Sequence, residues 1–242
     1  MQIEEYTKLD ELEESMWYFK ALHNRMLLPL SDWKDRAAHV LDAGCGTGGF
    51  ILAMKEFSAS WRITGLDISP VACNLARKKT QAEIVEGTIT NLPFDRDSFD
   101  ILTSADVIAH VDDSSTALRE FTRVLRPGGM AVINVPAYQW MWSYHDDAVQ
   151  TRHRFRRSGL RKMLQKAGLE PLSDSYANAL IFPLIIVRRK LFPPPLSSSD
   201  VQAGSYLVER FCAELAQFEY YLLKRGLTFP TGCSVFIFAR KP

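Results

Sequence analysis

The chain has 242 residues, 47% of them hydrophobic, with 29 Lys and Arg against 28 Asp and Glu and a formal net charge of +1. That length is enough for one well-buried α/β domain, and the charge balance supplies no global field that would draw the chain to nucleic acid or to an acidic membrane. Cys45, Cys73, Cys212 and Cys233 form no CxxC pair and have no metal-ligand spacing with a histidine. Reduced thiols in a cytoplasmic protein, with no metal, are therefore the simplest reading. Residues 1–5 are acidic and lack an apolar core, so they do not read as a signal peptide, and no apolar run reaches the length of a membrane span.

In chain order, residues 8–29 are predicted helical, with Trp17, Tyr18, Leu22, Met26 and Leu28 along one face and Pro29 ending the segment. Residues 1–36 then form an N-terminal helical cap. Strands are predicted near 38–43, 62–67, 82–86, 99–104 and 130–135, alternating with helices near 48–58, 70–79 and 114–125. Alternation of this kind implies a doubly wound, Rossmann-like parallel sheet with helices on both faces. An amphipathic helix at 158–167, stopped by Gly168, leads to a sixth strand at 169–176, and a seventh is predicted at 233–239. Between these two strands lies a helical insertion, 177–230, within a single domain 1–242. It contains an apolar run at 179–192, a Pro- and Ser-rich loop at 193–199 and a helix at 201–224. Three readings of 179–192 stand open. It is a buried helix on the sheet, an apolar lid over a substrate, or a peripheral membrane contact with Arg188, Arg189 and Lys190 facing lipid phosphates.

The most informative stretch is Val40-Leu41-Asp42-Ala43-Gly44-Cys45-Gly46-Thr47-Gly48-Gly49. A strand ends on a carboxylate, a glycine turn follows, and a helix begins. This is where a ligand meets bare backbone at a helix N-terminus. Gly44, Gly46 and Gly49 fit the dinucleotide spacing, whereas Gly44, Gly46 and Gly48 fit a tighter GxGxG. Asp42 would repel a diphosphate but attract an ammonium group, which favours a zwitterionic ligand. A second strand ends in Asp67, followed by Ile68; an acid there accepts hydrogen bonds from ribose hydroxyls. Further along come Glu86-Gly87-Thr88-Ile89, then Phe99-Asp100-Ile101-Leu102-Thr103-Ser104-Ala105 leading to His110, then Leu125-Arg126-Pro127-Gly128-Gly129 before the fifth strand.

These five segments, in this order, resemble the class I S-adenosyl-L-methionine (SAM)-dependent methyltransferases, particularly the group whose first motif reads LDAGCGTG. The resemblance is specific over about 38–170. It implies a seven-stranded sheet, mostly parallel, whose last strand runs antiparallel between the fifth and sixth. It also implies SAM as cofactor and S-adenosyl-L-homocysteine (SAH) as product. The cofactor-binding residues it implies are Tyr18, Asp42, Gly44, Cys45, Gly46, Asp67, Ile68, Gly87, Thr88, Ile89 and Ala105. Ile68 would lie against adenine. Thr88 departs from the Asp usual in the family, which weakens the side-chain contact expected there.

The acceptor side is expected in loops beyond the strand ends. The segment 136–147 after the fifth strand is dense in aromatics. Tyr138, Trp140 and Trp142 are expected to form a substrate wall, against the alternative of core or interface packing, and His145 is a candidate general base or a hydrogen-bonding prop of its own loop. Arg154, in the basic stretch 152–157, is a candidate for an anionic acceptor group, against the alternative of a solvated basic face. His110 is a second catalytic candidate, either for an acceptor contact or for a structural hydrogen bond. The reading that follows is methyl transfer to oxygen or nitrogen of a partly apolar small molecule. A non-catalytic SAM-binding protein and a nicotinamide-dependent oxidoreductase are the alternatives. A nucleic-acid substrate is not expected, since there is no basic domain and no Asn-Pro-Pro-Tyr motif.

Overall fold

The computed structural model describes residues 3–191, 200 and 205–242. Its described strands are β1 (Ala38–Ala43), β2 (Trp61–Asp67), β3 (Glu83–Glu86), β4 (Phe99–Ala105), β5 (Leu125–Pro136), β6 (Glu170–Ala177) and β7 (Ser234–Arg240). They form one sheet in the order β3-β2-β1-β4-β5-β7-β6. β1 to β5 pair in parallel, and β7 runs antiparallel to both β5 and β6. The expected topology is therefore present.

Helices cover both faces because successive strand side chains point to opposite sides and both sides are apolar. In β1, Leu41 and Ala43 face a core with Leu118 and Phe121 of α5 (Ser114–Val124) and Leu160 and Leu164 of α7 (Arg157–Lys166). Val40 faces the other core, with Met26 of α2 (Trp17–Leu27), Ile51 and Met54 of α3 (Gly49–Phe57) and Cys73 of α4 (Pro70–Thr80). Side chains fix several helix starts. Ser69 accepts from the Ala72 N–H ahead of Pro70, and Asp113 accepts from the Ser115 and Thr116 N–H groups.

Three expectations are corrected. The predicted helix 8–29 is two helices, α1 (Ile3–Leu12) and α2, broken at 13–16, and Pro29 opens a 3₁₀ turn, Leu28–Trp33, rather than ending the segment. The break has a cause. The buried Glu13 leaves the helical path to accept from the Thr47 hydroxyl at 2.6 Å and from Lys79 Nζ at 2.5 Å, which ties the N-terminal cap to the glycine loop. β5 begins at Leu125, not 130, because the Leu125-Arg126-Pro127-Gly128-Gly129 turn already pairs with β4 through an irregular register at Phe99. The run 179–192 is not a buried core helix: α8 (Phe182–Leu191) leaves Leu184 51% and Leu191 67% exposed. The predicted loop 193–199, Phe192 and the first residues of the predicted helix 201–224 lie outside the described residues. The described part of that helix is α9 (Tyr206–Lys224), which packs on α2; the Trp17 N–H donates to Glu209. No helix among the described residues is long and apolar enough to cross a membrane.

Candidate functional site

A cavity of about 660 Å³ opens over the carboxyl ends of β1, β2 and β4, where the strand order reverses. Gly44 stands at φ +93°, and a Cβ there would sit 2.2 Å from Val107 Cγ2, so that turn admits no side chain. Gly46, at φ +53°, is different: its missing Cβ would meet only Leu9 Cδ2 at 3.4 Å, so the space above its backbone belongs to the cavity.

Every cofactor residue expected from the sequence borders this cavity. Tyr18, Asp42, Gly44, Cys45, Gly46, Asp67, Ile68, Gly87, Thr88, Ile89 and Ala105 all line it. The Asp67 carboxylate accepts from the Gly46 N–H at 3.0 Å and the Ser69 N–H at 2.9 Å, so backbone fixes it in place while its remaining lone pairs stay open to hydroxyl donors. Ile68 is 69% exposed, a bare apolar side chain beside Asp67 that an aromatic base would cover. Asp42 is buried and accepts from Thr103 Oγ1 at 2.8 Å. Burial pushes its carboxyl up to about 7, against that hydrogen bond, so a nearby cation would favour its charged form. The Thr88 hydroxyl shares a hydrogen bond with Thr90 at 2.9 Å rather than pointing freely at a ligand. Glycine path, ribose acid, bare Ile68 and buried Asp42 thus fit SAM. Two carboxylates facing one cavity do not suit the diphosphate of a nicotinamide dinucleotide.

The other end of the cavity comes from distant segments. Tyr18 of α2 donates to Asp106 at 3.1 Å, and Asn134 Nδ2 donates to the other Asp106 oxygen at 2.9 Å. Ile181 and, in α8, Leu184 and Ile185 supply apolar wall, as do Val208, Phe211 and Cys212 of α9. The start of the insertion is clamped by Glu219 of α9, whose carboxylate accepts from the Asn178, Ala179 and Leu180 N–H groups at 2.6, 2.7 and 3.2 Å.

Both candidate histidines line the cavity. His110 Nδ1 lies 3.2 Å from the Gln150 carbonyl, and His145 Nδ1 accepts from the Asp200 N–H at 3.1 Å. The Asp200 carboxylate in turn accepts from Tyr144 of α6 (Tyr144–Ala148) at 2.5 Å and from Arg189 Nε at 2.9 Å. Burial works against that carboxylate, but Arg189 and then His145 outweigh it and hold it below the usual range.

Four substrate-binding expectations fare differently. Tyr138, Trp140 and Trp142 do not line the cavity. The chain turns at Tyr138 with φ +58°, and its ring stacks on Tyr176 at 4.9 Å, Trp140 at 5.8 Å and Phe182 at 5.9 Å, outside the site. Trp140 is half exposed, and the Trp142 indole donates to Asp147 at 3.0 Å. Arg154 does border the cavity, but its guanidinium is committed to Asp146 at 2.6 and 2.8 Å and to the Ala137 carbonyl at 2.9 Å. It braces the loop and is not a free anion receptor. The expectation that Arg189 faces lipid phosphates is likewise overturned, since it turns inward to Asp200. Sequence reasoning missed Glu13, Asp106, Asp200 and Glu219, whose hydrogen bonds hold the cavity walls together.

Residues 41–133 match a family model described as "Methyltransferase domain". Among curated relatives, demethylmenaquinone methyltransferase of Staphylococcus epidermidis is 38% identical over 102 residues, covering 40% of this chain and 42% of the relative. The one from Chlorobaculum tepidum is 35% identical over 103 residues, 42% of each. The chain thus spans less than half the length of these relatives. Solved structures share the fold: geranyl diphosphate methyltransferase in complex with SAM has a TM-score of 0.65 at 16% identity, covering 93% of this chain and 86% of its own. A SAM-dependent methyltransferase of Thermotoga maritima, titled a possible histamine N-methyltransferase, has a TM-score of 0.60 at 19% identity, covering 99% of this chain and 96% of its own. In its matched segment the chain is thus similar to a methyltransferase domain, and its sheet order and glycine turn are shared with the fold of these SAM-dependent methyltransferases.

Proposed function

We propose that this chain moves a methyl group to an oxygen or nitrogen of a partly apolar small molecule. The observation that carries this reading is continuity: one cavity joins the SAM-type turn to a wall of Ile181, Leu184, Ile185 and Phe211. Bound SAM supplies a methyl carbon made electrophilic by its sulfonium, so the protein's task is to hold an acceptor in line with it and manage at most one proton. Asp67 would hold the ribose hydroxyls, Ile68 the adenine face and Asp42 the ammonium group. Tyr18, held by Asp106, and the apolar walls of α8 and α9 would exclude water from the acceptor. The relatives named for demethylmenaquinone, and the fold neighbour named for geranyl diphosphate, support an apolar acceptor. A SAM-binding sensor would not need a second, apolar chamber beside the cofactor turn. The test is SAH release from a screen of acceptors. Replacing Asp67 with Ala is expected to weaken SAH binding by about 1.5–3 kcal/mol, read by calorimetry. Unchanged affinity would misplace the ribose site.

We also propose that this end of the molecule touches an anionic lipid surface. Leu184, Val187 and Leu191 of α8 and Leu207, Phe211 and Phe218 of α9 are exposed, with Arg188 and Lys190 beside them. Leu184 and Phe211 also line the cavity, so this apolar surface runs into its mouth. Co-sedimentation with phosphatidylserine-containing vesicles is expected, and it should be lost in the double variant Leu184→Glu, Phe211→Glu. Equal pelleting of both proteins would reject the contact.

A further inference from the structure

The two cavity histidines are fixed in opposite tautomers by what their Nδ1 atoms touch. A carbonyl can only accept, so His110 Nδ1, 3.2 Å from the Gln150 oxygen, carries the proton and leaves a lone pair on Nε2. A backbone N–H can only donate, so His145 Nδ1, 3.1 Å from the Asp200 nitrogen, supplies the lone pair and leaves the proton on Nε2. Neither Nε2 has a hydrogen-bond partner among the described residues, and both rings border the cavity.

We propose that the acceptor chemistry is divided between them: His110 is the general base through Nε2, and His145 donates Nε2–H to an oxygen of the acceptor. The proposal rests on the methyltransferase reading and names the acceptor class within it. The acceptor is an apolar compound bearing a carbonyl or enol-type oxygen for His145, with the group to be methylated carrying a removable proton. As the acceptor atom bonds to the methyl carbon and that carbon's bond to the sulfonium sulfur breaks, leaving the neutral thioether of SAH, the acceptor's proton passes to His110 Nε2, and the resulting imidazolium releases it to water. His110 also borders a surface recess with Asp112, Thr116 and Arg152, which gives that proton an outlet separate from the cavity.

The surroundings agree with the division. Enclosure lowers the basicity of His110, while the Gln150 carbonyl, Asp106 and Asp146 oppose that; Asp112 and Arg152 flank its outer side. His145 is driven down to about 4 by burial and then by Arg189, against Asp200 and Asp146, with Arg154 adding to the lowering. It therefore stays neutral and keeps its donor through the neutral range.

Imidazole 1H–15N NMR of the labelled protein reads the tautomers directly, since the chain has only five histidines to assign. Nδ1–H is expected for His110 and Nε2–H for His145, both persisting to about pH 6.5. The reverse tautomer at either ring, or a charged His145 at pH 6.5, overturns the proposal. Turnover then separates base from donor. His110→Gln is expected to lower kcat about 10²–10⁴-fold and to remove the acid limb of the pH profile. His145→Leu is expected to lower kcat/KM about 5–150-fold with the acid limb intact, and His145→Gln to recover most of that loss by restoring an N–H. SAH affinity, measured on each variant, checks that the fold is kept. Loss of the acid limb in His145→Gln would make His145 the base and sink the assignment. Failure of the methyltransferase reading looks different: no acceptor gives SAH release while the tautomers still read as assigned.

Discussion

The two ends of the cavity are built in different ways. The cofactor end is made of backbone: turns following β1, β2 and β4, with the Gly46 N–H bound to the Asp67 carboxylate and open space above a missing Cβ. The acceptor end is made of side chains brought from α2, α6, α8 and α9, joined by contacts such as Tyr18 to Asp106 and Asp200 to His145, 88 and 55 residues apart. A site made of backbone must spell its geometry in glycines and strand-ending acids. A site made of side chains can be assembled from many combinations and leaves no fixed spelling.

That contrast can be broken by substitution. The largest effect is expected from Gly46→Val. A β-branched side chain at φ +53° is strained and fills the cavity, so SAH binding should vanish while circular dichroism still reports a folded sheet. Normal binding by a folded variant would dissolve the backbone account of the cofactor end.

A smaller effect sharpens the role of Asp42, whose folded carboxyl sits near 7, above its unfolded value. A cationic ligand group prefers the ionised form, so wild-type SAH affinity should weaken as pH falls from 8 to 6, by up to about tenfold per pH unit. Asp42→Asn should flatten that dependence. The folded state binds the extra proton between about pH 4 and 7, so ionising Asp42 costs stability as pH rises through that window. Removing the charge should therefore raise the Tm at pH 8 even as binding weakens. A lower Tm at pH 8 would contradict this sign.

The smallest effects compare two acceptor-end residues. Ile185 lines the cavity and Trp140 does not. Ile185→Ala should raise the acceptor KM roughly fivefold, about 1 kcal/mol of lost apolar contact, and Trp140→Ala should leave it unchanged. The opposite ranking would restore the aromatic wall that the sequence suggests.

The same contrast explains what could be read in advance. Most strand positions were legible, because period-2 and period-3.6 patterns are local properties, whereas the β5-β7-β6 order and the eleven residues expected at the cofactor, all of which line the cavity, followed from the resemblance carried by the glycine turn and its companion segments. The helix break at 13–16 was not, because its cause is a carboxylate bond from Glu13 to Thr47, 34 residues away. Nor was the fate of Tyr138, Trp140 and Trp142. An aromatic-rich loop beyond a strand reads as a ligand wall, and only the left-handed turn at Tyr138 sends its ring onto Tyr176 and Phe182 instead.

The place of β7 also bears on how the chain reaches this shape. β7 is the last of the seven described strands to be synthesised, yet it sits between β5 and β6, and among the described strands β6 pairs with β7 alone. The Val132↔Phe238 pair spans more than a hundred residues, so closing the sheet has to await a long loop. Until residues 234–240 leave the ribosome, β5 offers a bare apolar edge, the kind of edge that neighbouring chains pair with. A nascent chain stalled just short of β7 would be the aggregation-prone species, and expression yield would track how fast that last strand arrives.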